Sequence, residues 1–313
     1  VRRRAFAAAA ASVFVQRALP AAARAGRWSS AADLPEPRQA FAIASAAGAI
    51  FVLGGYSARG QQLNQMYDPA LDRWFERAPL PAALNYPEAA AVDGQVYVIG
   101  GFAESFGIIP GRAQGGGYRY DPKSDTWARI DVMPTWRAGF ALIERDGALF
   151  AVGGRARLDF NVNERYDPRS DSWESRAPLP TPREQLAGGV LRGLIHVTGG
   201  REFQLGRNSA RHDIYDPGED VWREGPPLPR TRSAHAAAIL DGSLVLVGGE
   251  DNESLDADVI AFDPDRGYWQ DLPTLPHPRQ SLGAAVVNGT LYAIGGGAAH
   301  GLAAPTALNE TFN

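Results

Sequence analysis

The chain contains one phrase six times: an apolar run that ends in two glycines. The pairs are Gly54-Gly55, Gly100-Gly101, Gly153-Gly154, Gly199-Gly200, Gly248-Gly249 and Gly295-Gly296. Their spacing of 46 to 53 residues is too regular to be incidental. Self-similarity at such a period decides the architecture before any local reading does.

Each unit can be read around its glycine pair. A Leu-Pro or Met-Pro opens it (Leu34-Pro35, Leu80-Pro81, Met133-Pro134, Leu179-Pro180, Leu228-Pro229, Leu275-Pro276). Proline lacks the donor a central strand needs, so these dipeptides lie between strands. A strand of small residues follows, placed innermost because strands around a crowded axis favour small side chains. A glycine six residues before each pair comes next, preceded by Asp93, Asp146, Asp241 or Asn288 in four units. Asp-Gly and Asn-Gly between apolar runs signal a two-residue hairpin. The glycine-pair strand follows. A third strand ends in Tyr67, Tyr120, Tyr166, Tyr215 or Phe262, then an Asp-Pro turn, then Trp74, Trp127, Trp173, Trp222 or Trp269 on a fourth strand. Four short antiparallel strands per unit, six times over, predict an all-β, six-bladed propeller. The sixth unit stops after its third strand, while Arg27-Trp28-Ser29 is a tryptophan strand with no unit before it. An N-terminal outer strand completing the last blade is therefore predicted, which leaves no major open edge.

The combined phrase of Gly-Gly, Tyr-Asp-Pro, six-spaced Trp and Leu-Pro-x-x-Arg resembles the kelch repeat. The resemblance covers nearly all of residues 26–313, and it implies a kelch β-propeller that binds at one mouth of its central channel. The architecture is similar to that of the galactose and glyoxal oxidases and of a periplasmic sialic acid mutarotase. The oxidases need a cysteine cross-linked to tyrosine, and this chain has no cysteine, so their copper-radical chemistry is excluded.

Residues 1–25 read as a separate segment: three arginines, a weakly apolar run from Phe6 to Val15, and Ala23-Arg24-Ala25 as a small-x-small cleavage site. Arg3-Arg4-Ala5-Phe6 resembles a twin-arginine export signal. The expected organisation is a signal peptide over 1–25 and a propeller over 26–313, with a periplasmic or secreted location. No membrane span is expected in the mature chain. A net charge of -4 without long single-sign runs disfavours nucleic acid as a partner.

An arginine lies sixteen residues before five of the glycine pairs: Arg38, Arg137, Arg183, Arg232 and Arg279, with Leu84 in the second unit. Residues Tyr56, Phe102, Arg155, Arg201, Glu250 and Gly297 follow the pairs directly. The kelch resemblance implies that both sets open on one face. The candidate ligand-binding residues are these five arginines with Arg155, Arg201, Trp136 and Tyr56, a set suited to a carboxylate or phosphate. The alternative for the five is a scaffold role in pairing with carbonyls or carboxylates. The expected partner is a protein segment or an anionic small molecule or glycan, and a monomer is expected. The other reading is a sugar-acid mutarotase or epimerase with Glu184 or Glu250 as acid/base. The five histidines show no metal spacing, and Walker, dinucleotide and HExxH motifs are missing, so no metal or cofactor is expected.

Overall fold

The computed structural model describes residues 26–103, 111–251 and 253–313; the expected signal segment lies outside them. The described residues form six four-stranded antiparallel sheets and two small hairpins. The third blade shows the pattern: Ala141–Arg145, Ala148–Val152, Asn163–Asp167 and Ser172–Arg176, paired in that order. The innermost strands are Ala42–Ala46, Glu88–Val92, Ala141–Arg145, Ala187–Leu191, Ala236–Leu240 and Gly283–Val287. Two-residue hairpins leave them as expected: Asp93 and Gly94 have φ of 51° and 77°, the left-handed pair a type I′ turn requires. No helix among the described residues is long and apolar enough to cross a membrane.

Trp28–Ser30 pairs with Asn309–Phe312, so the start of the propeller supplies the outer strand of the sixth blade. The Trp28 ring lies 5.2 Å from that of Phe312, as Trp74 lies 5.0 Å from Tyr67.

Neighbouring blades are tied at both edges. Near the axis, the second glycine of each pair donates its N–H to the next blade's carbonyl at the arginine (or Leu84) position: Leu84, Arg137, Arg183, Arg232, Arg279 and, closing the ring, Arg38, at 2.7–3.0 Å. A Cβ on Gly153 would sit 2.7 Å from the Arg183 carbonyl oxygen. The glycine pair is thus a contact between two backbones that no side chain can enter.

At the outer edge each tryptophan donates its indole N–H to the connection entering its own blade. Trp28, Trp74, Trp127, Trp173, Trp222 and Trp269 reach the carbonyls of Pro273, Ala32, Ala78, Asp131, Ala177 and Pro226. Each acceptor lies two residues before the Leu or Met of the unit-opening dipeptide, whose side chain is buried. Asp72, Asp125, Asp171 and Asp220, expected as turn residues, do more than turn. Each accepts from the tyrosine of its own blade and from a backbone N–H of the same connection. In the fifth blade Phe262 has no hydroxyl, and Gly267 stands in place of the aspartate.

The fourth blade departs from this pattern. His196 and His212 form a buried pair at 2.8 Å beside Phe262 and Trp269. His212 takes the place of Asn64, Asn163 and Asn309, and its Nδ1–H donates to the Pro226 carbonyl as those amides donate to theirs. Its Nε2 then accepts the Nδ1–H of His196. Burial, with the neighbouring His212, lowers His196 from 6.5 to about 3, and burial lowers His212 too. In the unfolded chain these rings gain protons below about 6.5 while the folded ones stay neutral, so stability falls as pH drops through that range. The pair accounts for part of this slope. Replacing it with residues other blades use, His196→Phe with His212→Asn, is expected to flatten the fall in melting temperature between about pH 7 and pH 5. Thermal melts of wild type and double variant across that range check this.

Trp28→Ala removes the contact that completes the last blade. It is expected to destabilise the protein by about 3 kcal/mol, a cost typical of truncating a packed tryptophan, measured by urea unfolding.

Candidate functional site

The chain reaches the channel mouth through six equivalent steps. After the arginine position, one residue pairs in antiparallel fashion with the residue after the glycine pair: Gln39 with Tyr56, Asn85 with Phe102, Ala138 with Arg155, Glu184 with Arg201, Ser233 with Glu250 and Gln280 with Gly297. The two loop sets singled out in the sequence therefore meet on one face. The next residues, Ala40, Tyr86, Gly139, Gln185, Ala234 and Ser281, all have φ between 50° and 58°. Each donates its N–H to the same position of the preceding blade, at 2.7–3.3 Å, and Ala40 donates to Ser281. Six backbone hydrogen bonds thus close a ring around the channel. Five of its six members are not glycine, and strain of this kind collects where backbone position is functionally constrained.

The five repeat arginines do not reach the mouth. Arg38, Arg137, Arg183, Arg232 and Arg279 are 0–1% exposed. Arg137 pairs with Glu164, Arg183 with Asp213, Arg232 with Asp256 and Arg279 with Glu310. Arg38 donates to Gln65, whose amide donates in turn to Glu76. Each guanidinium also holds carbonyls of its own blade, such as Ala151 for Arg137 and Gly199 for Arg183. A ligand would have to break these pairs to reach the arginines, so the scaffold alternative holds and they leave the candidate site. The signal was present in the sequence. Gln65, Glu164, Asp213 and Glu310 each lie two residues before the third-strand aromatic, and the blade with Leu84 carries Tyr118 there.

Trp136 also lies outside the pocket. It is 43% exposed, under the guanidinium of Arg112, and a Cβ on Gly115 of the second loop would collide with it. Phe41 is buried below the ring, and Tyr56 is half-buried on the mouth face.

What remains at the mouth is compact. Arg155 is held between Phe203 and Phe102, 4.2 and 5.4 Å from their ring centres, and pairs with Glu184. Burial pushes the Glu184 carboxyl up to about 7 against the pull of Arg155. Arg201 stacks 5.7 Å from Phe203 and has no ion-pair partner among the described residues; its buried Nε has no hydrogen-bond acceptor. Across the mouth Glu250 holds the Nδ1 of His300 at 2.7 Å. Arg201, Glu250 and His300, with Tyr86, Gln185 and Gln280, line a cavity of about 420 Å³. His300 and Tyr86 were not among the sequence candidates. Tyr86 was legible as the one aromatic at a ring position held elsewhere by Ala, Gly, Gln or Ser, whereas His300 comes from a loop with no repeat register.

Arg137→Ala strands Glu164 in the interior and is expected to cost about 3–5 kcal/mol, as breaking a buried pair does. Arg201→Ala breaks no ion pair and is expected to change stability by no more than about 0.5 kcal/mol. Denaturant titrations of the two variants separate scaffold from site.

The Kelch motif matches residues 83–133, 137–180 and 231–276. Kelch-like protein 35 of Mus musculus is 29% identical over 130 residues, 41% of this chain and 21% of that protein. Kelch-like protein terF of Aspergillus terreus is 29% identical over 199 residues, 57% of this chain and 43% of that one. The chain therefore spans less than half the length of these relatives. The solved structure of YjhT superposes with a TM-score of 0.76 at 18% identity, covering 88% of this chain and 95% of its own, a likeness of fold. These likenesses agree with a glycine-pair register that runs unbroken through six blades: the chain carries Kelch motifs within a six-bladed β-propeller.

Proposed function

We propose that the chain is an exported binding propeller that captures an anionic ligand, a protein segment or an acidic glycan, at the mouth between the fourth and sixth blades. One observation carries this reading: Arg201 lies on the wall of a cavity of about 420 Å³, facing Glu250 and Asp251 there without forming an ion pair among the described residues, and its buried Nε has no acceptor. Its side chain is already held against Phe203, so little rotamer freedom is lost on binding. A guanidinium so placed suits bidentate pairing with a carboxylate or phosphate. Export is supported by the order of residues in 1–25, and sequencing the mature N-terminus tests it: a chain beginning at Gly26 is expected, and one still beginning at Val1 overturns it.

The binding reading is tested by thermal shift and calorimetry with sialic acid and with acidic peptides. Binding in either arm is expected to weaken at least tenfold in Arg201→Ala, the loss of one charge-assisted contact. Undiminished binding by the variant removes Arg201 from the site.

The second reading, a sugar-acid mutarotase, is favoured by the Glu250–His300 pair. A carboxylate that orients an imidazole at a pocket edge is a usable acid/base arrangement. Anomer exchange of sialic acid followed by NMR decides it: acceleration that disappears in His300→Gln supports catalysis, and the uncatalysed rate in wild type leaves binding alone.

A further inference from the structure

Below the ring of backbone hydrogen bonds the channel holds a second cavity, of about 170 Å³, with wall residues from all six blades. Aligned on the glycine pairs, the first residues of the innermost strands are Ala42, Glu88, Ala141, Ala187, Ala236 and Gly283. Five blades thus place Ala or Gly at this level and the second places a glutamate. Glu88 is the one carboxylate on the cavity wall, which carries no lysine or arginine. Its carboxyl has no hydrogen-bond or ion-pair partner among the described residues, and burial pushes it well above the usual carboxylate range. The other titratable wall groups are Tyr86 and His235. Burial with the nearby Arg232 lowers His235 to about 3, so it adds no positive charge, and burial pushes Tyr86 up to about 12.

An unpaired acid held inside the channel costs stability, and the repeat itself supplies the cheaper residue, alanine, at the same position. Packing therefore does not explain Glu88, and a charge partner that arrives from outside does. We propose that this cavity is a binding site for a small primary amine, whose ammonium pairs with Glu88 and whose apolar body fills the alanine- and glycine-walled channel. The wall offers one acid and no competing cation. An ammonium gains a charge-assisted hydrogen bond there, where an alcohol gains a neutral one. The size suits a single small ring, since a cavity of about 150 Å³ holds benzene. Tyr86 and Gln185 line both this cavity and the mouth pocket, so the two adjoin. Where Glu88 carries its proton in the free protein, binding expels it: one proton leaves for solvent per ammonium bound.

The test uses the full chain, with benzylamine and benzyl alcohol as probes in calorimetry between about pH 6 and pH 8, in buffers of different ionisation enthalpy. Benzylamine is expected to bind with release of about one proton, and to bind more tightly as pH rises, by up to about tenfold per unit. Benzyl alcohol is expected to bind at least tenfold more weakly and without proton release. Glu88→Gln is expected to weaken benzylamine binding at least tenfold. Equal affinity for the two probes, no binding of benzylamine, or full benzylamine affinity in Glu88→Gln overturns the proposal. The variant's fold is checked in the same samples. A carboxyl whose folded pKa is raised contributes most at low pH and loses that contribution as pH rises. Glu88→Gln should therefore melt higher than wild type at about pH 8, with the difference shrinking towards acid. No rise at pH 8 shows that Glu88 has an internal partner, which also overturns the proposal.

Discussion

The close approach of one backbone to the next at the glycine pairs is the constraint on which the rest of this propeller depends. At Gly153-Gly154 the second N–H meets the Arg183 carbonyl at 2.7 Å, and a Cβ on the first glycine would meet the same oxygen. Because the contact is between main chains, it is indifferent to the side chains around it and can repeat six times with one geometry. It brings the segment after each arginine position against its neighbour, and this lets the next residue along close the ring of six hydrogen bonds at the channel mouth. Tryptophan at the outer edge then fixes each blade to the connection that feeds it. A blade held at both its inner and outer edges has little freedom to tilt, so the mouth is a rigid frame on which loops can differ.

The buried arginines follow from this frame. The guanidinium groups donate to carbonyls near the end of the glycine-pair strand and just past it. Arg137 takes up Ala151, Arg183 takes up Gly199, and Arg279 takes up both Ala293 and Gly295. A guanidinium with five donors in a fixed fork suits this task, and a third-strand carboxylate balances its charge. In the fifth blade Ile260 occupies the third-strand position and Asp256 from the loop serves instead. In the second blade arginine and acid are both lost, giving Leu84 and Tyr118. Arginine and a polar partner are thus kept or lost together, Gln65 serving Arg38 in the first blade and Asp256 serving Arg232 in the fifth.

Legibility in the sequence followed the same division. Whatever is imposed by contact between identical units was readable: six blades, type I′ hairpins, the tryptophan register and the closing strand at Trp28. The arginines were equally conspicuous but ambiguous, because a conserved internal register is what both a binding ring and a structural ion pair produce. Their partners, two residues before each third-strand aromatic, resolve the ambiguity once the strands are paired. Arg155 and Arg201 stood out as departures from the repeat, yet only the fold shows that Glu184 and two phenylalanines hold the first while the second forms no ion pair among the described residues. His300 was illegible because its loop has no register to depart from.

Departure from the repeat is thus the more informative signal, provided it is read position by position. In the second blade Leu84, Tyr86 and Glu88 depart at alternate residues, where other blades carry Arg, a small or amide residue, and Ala or Gly. At Leu84 the second blade lacks the buried arginine that the other blades carry. The channel wall holds the Glu88 carboxyl and no lysine or arginine from any blade. Tyr86, between the two, lines both the mouth pocket and the channel cavity. Tyr86 keeps its place in the hydrogen-bonded ring, so the second blade supports the ring as the others do and adds a carboxyl group to its lumen. The same logic separates the two histidine replacements in the fourth blade. His212 preserves the hydrogen bond of the asparagine it replaces, so that departure is structural, whereas Glu88 preserves no contact of the alanine it replaces.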